Sequence, residues 1–162
     1  GKDYPEAMGL SFSVPVGIPI PSSLKNIFRN QFKYKHLTQF PDHGNLESWA
    51  SQGCLLMNTA LTVIKKSPNI HANIWHWFTD QLVKKISDDR NKLVFVFWGS
   101  PALERSKMVD SKKHHFIISS HPYGLSCNKP LRTYPAFVDN DHFGQINDFL
   151  KADGLKTITW KN

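Results

Sequence analysis

The chain has 162 residues, 40% of them hydrophobic and 12% aromatic, enough apolar material for the core of one compact domain and too much for a disordered tail. Twenty Lys and Arg against thirteen Asp and Glu leave a formal charge of +7, a field that attracts polyanions such as nucleic acid without separating them from an acidic protein or a membrane surface. Two cysteines, Cys54 and Cys127, exclude a disulfide framework and favour a reducing compartment, while the lack of a membrane-length apolar run or a recognisable signal peptide leads us to expect a soluble protein.

The chain opens on Gly1-Lys2-Asp3 without an initiator methionine and reads as a piece of a longer protein. Leu10 to Val14 alternates and is rich in β-formers, predicting a short strand that Pro15, Pro19 and Pro21 convert into a rigid loop. Ser22 or Ser23 suits the cap of a helix from Leu24, with Ile27 and Phe28 inward, ending before Tyr34. Asn45 suits the cap of a short helix over Leu46 to Ser51, closed by Gly53, and the apolar run from Cys54 into Asn58 and Val63 predicts a buried strand. Between Ile70 and Ile86, Ile74, Trp77, Phe78, Leu82 and Ile86 recur at helical spacing. Leu93 to Trp98 is an almost unbroken β-branched and aromatic run, predicting a strand covered on both faces at the sheet centre. Pro101 opens a helix through about Lys107, His114 to Ser119 is the next strand, and His142 to Lys151 is a last helix stopped near Gly154. Strands alternating with helices give an α/β fold with a mainly parallel sheet between helical layers, and ligands of such sheets bind beyond the carboxyl ends of the strands. Asp3, Asn58, Gly99, Ser100 and His121 are the polar or turn residues expected there.

Each of these has an ordinary reading beside a functional one. Asn58 lies in an apolar stretch, where its amide must find partners; on its own it reads as a structural Asn bonded to a nearby loop, the other reading being an amide that recognises a polar ligand edge. His121 leaves a strand just before Pro122, where a structural imidazole and a catalytic one look alike. His114 and His115 are expected on opposite faces of a strand, one of them solvated. No convincing metal-ligand set is present. Lys65-Lys66, Lys84-Lys85, Lys107 and Lys112-Lys113 read as solvated faces, although several are expected near the strand exits, where phosphate contacts would be useful. Leu125, between Gly124 and Ser126, either tucks under its loop or protrudes as a wedge into a base stack.

Gly53-Cys-Leu-Leu-Met-Asn-Thr-Ala-Leu-Thr-Val63, His121-Pro-Tyr-Gly-Leu-Ser126, Gly9-Leu-Ser-Phe-Ser-Val14 and Pro19-Ile-Pro-Ser-Ser-Leu24, in that family's order and spacing, resemble the family-one uracil-DNA glycosylases; Val96 to Ser100, His142-Phe143 and Ile158 to Trp160 also fit. The resemblance runs from the first residue to Trp160. It implies a three-layer α-β-α sandwich with a central, mainly parallel four-stranded sheet, formed as one catalytic domain over residues 1–162 that lacks its N-terminal part. It implies an enzyme that flips uracil out of single- or double-stranded DNA and hydrolyses the N-glycosidic bond, leaving an abasic site for base-excision repair. Asp3 and His121 would then be catalytic, Asp3 positioning water and His121 donating to uracil O2. Phe12 would stack on the base, Asn58 would read its edge and Tyr4 would exclude a thymine methyl group. Ser23, Ser100 and Ser126 would contact DNA, and Leu125 would fill the gap left by the flipped nucleotide. No cofactor or metal is implied; the partners would be uracil-containing DNA and a proteinaceous glycosylase inhibitor, with no membrane, and the protein would act as a monomer inside the cell, in the nucleus or a viral replication compartment. Three departures stand out. Asp3 and Phe12 are about four residues closer than in the family, through either a contracted loop or, the reading we favour, residues missing between them; Tyr123-Gly124 replaces a Ser-Pro pair, and Ser106-Lys107 replaces a Gly-Ser pair. Divergent loops suggest a viral lineage. The alternatives are a catalytically weak glycosylase-like module that binds DNA or serves replication, and a branch acting on mismatched bases.

Overall fold

A computed structural model describes residues 6–62, 64, 67 and 70–162. Its helices are α1 (Ser22–Lys33), α2 (Glu47–Ala50), α3 (Ala72–Asp89), α4 (Ser100–Arg105) and α5 (His142–Ala152), and its strands are β1 (Val94–Trp98) and β2 (His115–Ser119). The strands pair in parallel, Val94 opposite His115 through Trp98 opposite Ser119. A parallel pair needs a crossover, and α4 with the short turn Ser106–Met108 supplies it.

The strand alternation sorts the core into two layers. Phe97 packs with Val83 of α3 and with Val109, joined by Phe95, Phe116 and Ile118. Trp98, on the opposite face, packs into a larger cluster built from Leu24, Ile27 and Phe28 of α1, Trp49 of α2, Phe143 of α5 and Trp160. Helices therefore cover both faces, which accounts for the continuous apolar run of β1. The inward stripe of α1 is as expected, with Leu24, Ile27 and Phe28 fully buried. The helix begins at Ser22 itself, however, with Pro21 as its extended N-cap and no serine hydroxyl capping it; the fixed proline φ starts the helix without one. Asn45 does accept from the Glu47 N–H at 2.8 Å.

Four expectations change. Among the described residues the sheet has two strands, not four. Leu10 to Val14 is a turn: Phe12 has φ +65° and Gly9 φ +83°, left-handed values no strand accommodates, and the segment is instead held by bonds from Ser11 N–H to Leu56 O and from Val14 N–H to Gly44 O. Cys54 to Thr62 runs without regular structure; of its backbone, Leu56 O accepts from Ser11 N–H, but among the described residues no neighbouring strand supplies a ladder. Along α3, Ile74 and Trp77 are 72% and 70% exposed, and the fully inward residues are Thr79, Val83 and Ser87. The apolar spacing located the helix, but of its stripe Ile74, Trp77 and Phe78 are exposed and Leu82 and Ile86 only half-buried.

Candidate active site

The carboxyl end of β1 turns at Gly99, with φ +91°. Its N–H donates to Ser119 O and its carbonyl accepts from Leu103 N–H, so one residue closes the sheet and opens α4. A Cβ on Gly99 would stand 3.1 Å from the Cβ of His121; glycine is what lets the two chain exits lie side by side. The exit of β2 is fixed by buried serines. Ser119 Oγ donates to Ser120 O, Ser120 N–H donates to Pro135 O, and Ser120 Oγ accepts from Phe137 N–H at 2.9 Å. Asn26 of α1 then donates to the carbonyl of the buried Pro122 at 2.8 Å.

His121 is half-buried between these clamps. Its Nδ1 accepts from the Tyr123 N–H at 3.1 Å, which leaves the ring proton on Nε2. Burial holds its pKa below the ordinary histidine value, so the ring is a neutral N–H donor at physiological pH. The Phe12 ring lies 5.7 Å from the imidazole, and 5.7 Å from the indole of Trp98 in an edge-on arrangement. An aromatic face and a neutral donor thus meet at the end of the sheet, beside Trp98 and Gly99. Such a pair can stack on a flat heterocycle and stabilise negative charge developing on its oxygen.

The loop after His121 forms a tight turn over Gly124–Asn128. Cys127 is buried and donates to Gly124 O at 3.0 Å, and Ser126 Oγ donates to the carbonyls of His121 and Tyr123. With its base closed in this way, the loop holds Leu125 79% exposed. Ser23 lies in the first turn of α1 and Ser100 is exposed at the start of α4. Asn58 is exposed, two residues beyond the Leu56 carbonyl bonded to Ser11 and just before Thr59, whose carbonyl accepts from Thr79 Oγ1 of α3. No contact joins Asn58 to Phe12 or His121 among the described residues. Asp3 and Tyr4 lie outside the described residues, as do Lys65 and Lys66.

The other lysine pairs are not at the strand exits. Lys112 and Lys113 immediately precede β2, and Lys84 and Lys85 sit in the last turns of α3 that lead toward β1, all at the amino end of the sheet. Lys84 and Lys85 pair with Asp88 and Asp89, and Lys113 donates to the Ser87 and Asp88 carbonyls. His114 and His115 are both satisfied rather than one being solvated: His114 is buried between Leu93 N–H and Ser87 O, and His115 bonds Asp153 at 2.8 Å. Among the described residues no group of three or more His, Cys, Asp and Glu is placed to hold a metal ion. Sequence reasoning missed Asn26, which reaches Pro122 across 96 residues and carries no local signal. The sequence places Trp98 in a strand and in a family-like segment without giving it a role, although a large ring at a strand's carboxyl end is a signal for one.

A model of the uracil DNA glycosylase superfamily matches residues 1–151. The chain belongs to that superfamily. It is 41% identical to a probable uracil-DNA glycosylase of Acanthamoeba polyphaga mimivirus, over 96% of this chain and 45% of the relative, and 42% identical to the uracil-DNA glycosylase of Epstein-Barr virus, over 96% and 62%. The crystal structure of the mimivirus uracil-DNA glycosylase superposes with a TM-score of 0.91 at 42% identity, over 98% of this chain and 61% of that one. A mimivirus variant solved in complex with UGI gives a TM-score of 0.92 at 41% identity, over 98% and 62%. The chain thus spans about half to two thirds of the length of these superfamily members.

Proposed function

We propose that the chain is the larger part of a uracil-DNA glycosylase, one domain that acts as a monomer on uracil-containing DNA. The observation that carries this is the meeting of the Phe12 ring with a neutral, Nε2-protonated His121 at the end of the sheet. A base inside a duplex is out of reach of any hydrolytic group, so the nucleotide must leave the stack. Phe12 then stacks on the ring, Asn58 and Tyr4 select uracil, and the His121 Nε2–H donates to O2 as negative charge gathers on the departing base. Asp3 orients the water and offsets the positive charge on the sugar, as a carboxylate does in O-glycoside hydrolysis. Leu125 is exposed on a loop closed at its base, which suits a wedge filling the vacated stack; Ser23, Ser100 and Ser126 contact the DNA backbone. A protein inhibitor of the UGI kind would compete for the same face.

We also propose that the sheet of the whole protein is four-stranded within a three-layer sandwich. β2 occupies one edge of β1, engaging Leu93, Gly99 and the residues in step with them, so Val94, Val96 and Trp98 turn their backbone groups to the other edge. There a cleft runs between Lys92–Trp98 and Cys54–Met57, walled by Val83 of α3 and Phe143 of α5. It has the lining of a strand site covered on both faces. Nuclear magnetic resonance on the full natural polypeptide should show cross-strand contacts to Val94, Val96 and Trp98 from an extended segment in this cleft; a solvent-exchanging edge would overturn the four-stranded reading.

Activity is tested by incubating the full natural polypeptide with uracil-containing single- and double-stranded DNA and cleaving abasic sites with alkali. Strand scission is expected at uracil alone. Salt-sensitive DNA binding without scission would mark a binding module instead, and scission at thymine mismatches a different branch.

A further inference from the structure

Behind the Phe12 and His121 side chains, two separate arms of hydrogen bonds and ring contacts converge on one buried imidazole. His142, at the start of α5, is fully buried. Its Nδ1 accepts from the Trp98 indole N–H at 3.2 Å and from Asn140 Nδ2 at 3.0 Å, and its Nε2–H donates to Phe137 O at 3.0 Å. With two donors facing one nitrogen and a carbonyl facing the other, only one neutral tautomer satisfies the site. The first arm continues from Trp98 to the edge-on Phe12 ring. The second continues through Phe137, whose N–H donates to Ser120 Oγ, to the residue beside His121. The ring is also pinned by packing, stacked on Phe137 with centroids 4.5 Å apart and edge-on to Trp98 at 5.3 Å.

We infer that His142 is a positioning residue, a strut that holds the Phe12 ring and the His121 imidazole in register with one another by bonding the supports of both. The inference rests on the glycosylase reading for its kinetic consequence but not for its geometry. It explains why a buried polar side chain with one permitted tautomer sits in an otherwise aromatic cluster: an apolar residue would fill the volume but leave the indole N–H without this acceptor and the Phe137 carbonyl to the Asn30 amide and the Asn140 N–H. Misplacement of reacting groups by about 1 Å costs on the order of 100-fold in rate, so a strut well away from the base can matter as much as a contact.

The test uses the full natural polypeptide with His142→Leu and His142→Asn. Asn can offer an acceptor close to the place of Nδ1, whereas Leu cannot. His142→Leu is expected to lower kcat/KM for uracil release by roughly 10- to 100-fold, mainly in kcat, and His142→Asn to recover most of that loss. In a His121→Leu background the added effect of His142→Leu should shrink to about 3-fold, the share that acts through Phe12, because the share that acts through His121 is already lost. The Trp98 indole N–H resonance and the Phe12 ring resonances are read without substrate, so they stay informative if the protein proves inactive on uracil. Both should move in His142→Leu and return toward wild type in His142→Asn. Independent effects of the two substitutions, or unmoved Phe12 resonances in a folded His142→Leu protein, would overturn the inference.

Discussion

The two ends of the parallel sheet carry charge differently. At the amino end, charges are exposed and paired with near neighbours: Lys84 with Asp88, Lys85 with Asp89, and Lys113 with the last carbonyls of α3. At the carboxyl end the polar groups are neutral and partly desolvated, and they sit on backbone that is itself unusual, with φ +91° at Gly99 and φ +65° at Phe12. Solvated ion pairs contribute little and can be lost without effect. Strained turns and desolvated donors persist only where the surrounding structure over-determines them, and they gather where preorganisation is useful.

That contrast can be broken at its strongest point. His121→Leu removes a neutral imidazole donor and should slow uracil release by about 100- to 1000-fold while leaving DNA binding nearly intact, measured by single-turnover assays and titration with uncleavable DNA. Near-normal turnover would return His121 to a structural role. The next largest effect is on stability against pH. Burial pushes the His142 pKa down to about 4, from near 6.5 in the unfolded chain, with only Asp141, itself bonded to His36, as a charged neighbour favouring protonation. Across that window the unfolded chain binds a proton that the folded one refuses, so stability falls as pH drops from about 6.5 to 4. The loss is on the order of 3 kcal/mol. Denaturant midpoints measured at several pH values should show it, and His142→Asn should flatten that part of the profile.

Gly99→Ala sharpens the comparison by touching backbone alone. It places a methyl group against His121 and forces a left-handed φ on a residue with a Cβ, which should cost roughly 1–3 kcal/mol of stability and lower kcat more than it raises KM. An unchanged melting temperature and rate would mean that the exits of β1 and β2 can separate freely. The smallest effect belongs to the other end: Lys84→Ala and Lys85→Ala should leave the melting temperature, the rate and the salt dependence of DNA binding unchanged within error. A reduced salt slope would show that DNA reaches the amino end after all.

Legibility followed the range of the forces involved. Helices α1 and α5 could be read because their apolar stripes and stop signals are local, and β1 because its unbroken apolar run admits few other conformations. The run from Cys54 to Val63 is also largely apolar, yet from Cys54 to Thr62 it forms no strand, since a strand is completed by the neighbour's backbone and not by its own side chains. Leu10 to Val14 alternates like a strand but turns at Phe12, where bonds from Leu56 and Gly44, far along the chain, decide the path.

The sequence by itself determined the family, the α/β alternation and the candidate site residues Phe12, Asn58 and His121, because motifs and periodicities are written in consecutive residues. Only the tertiary structure decided that Phe12 and His121 meet, that the His121 proton lies on Nε2, and that Trp98 and His142 stand behind them. Those facts depend on hydrogen bonds and ring contacts between segments tens of residues apart, formed only when the helices close over both faces of the sheet.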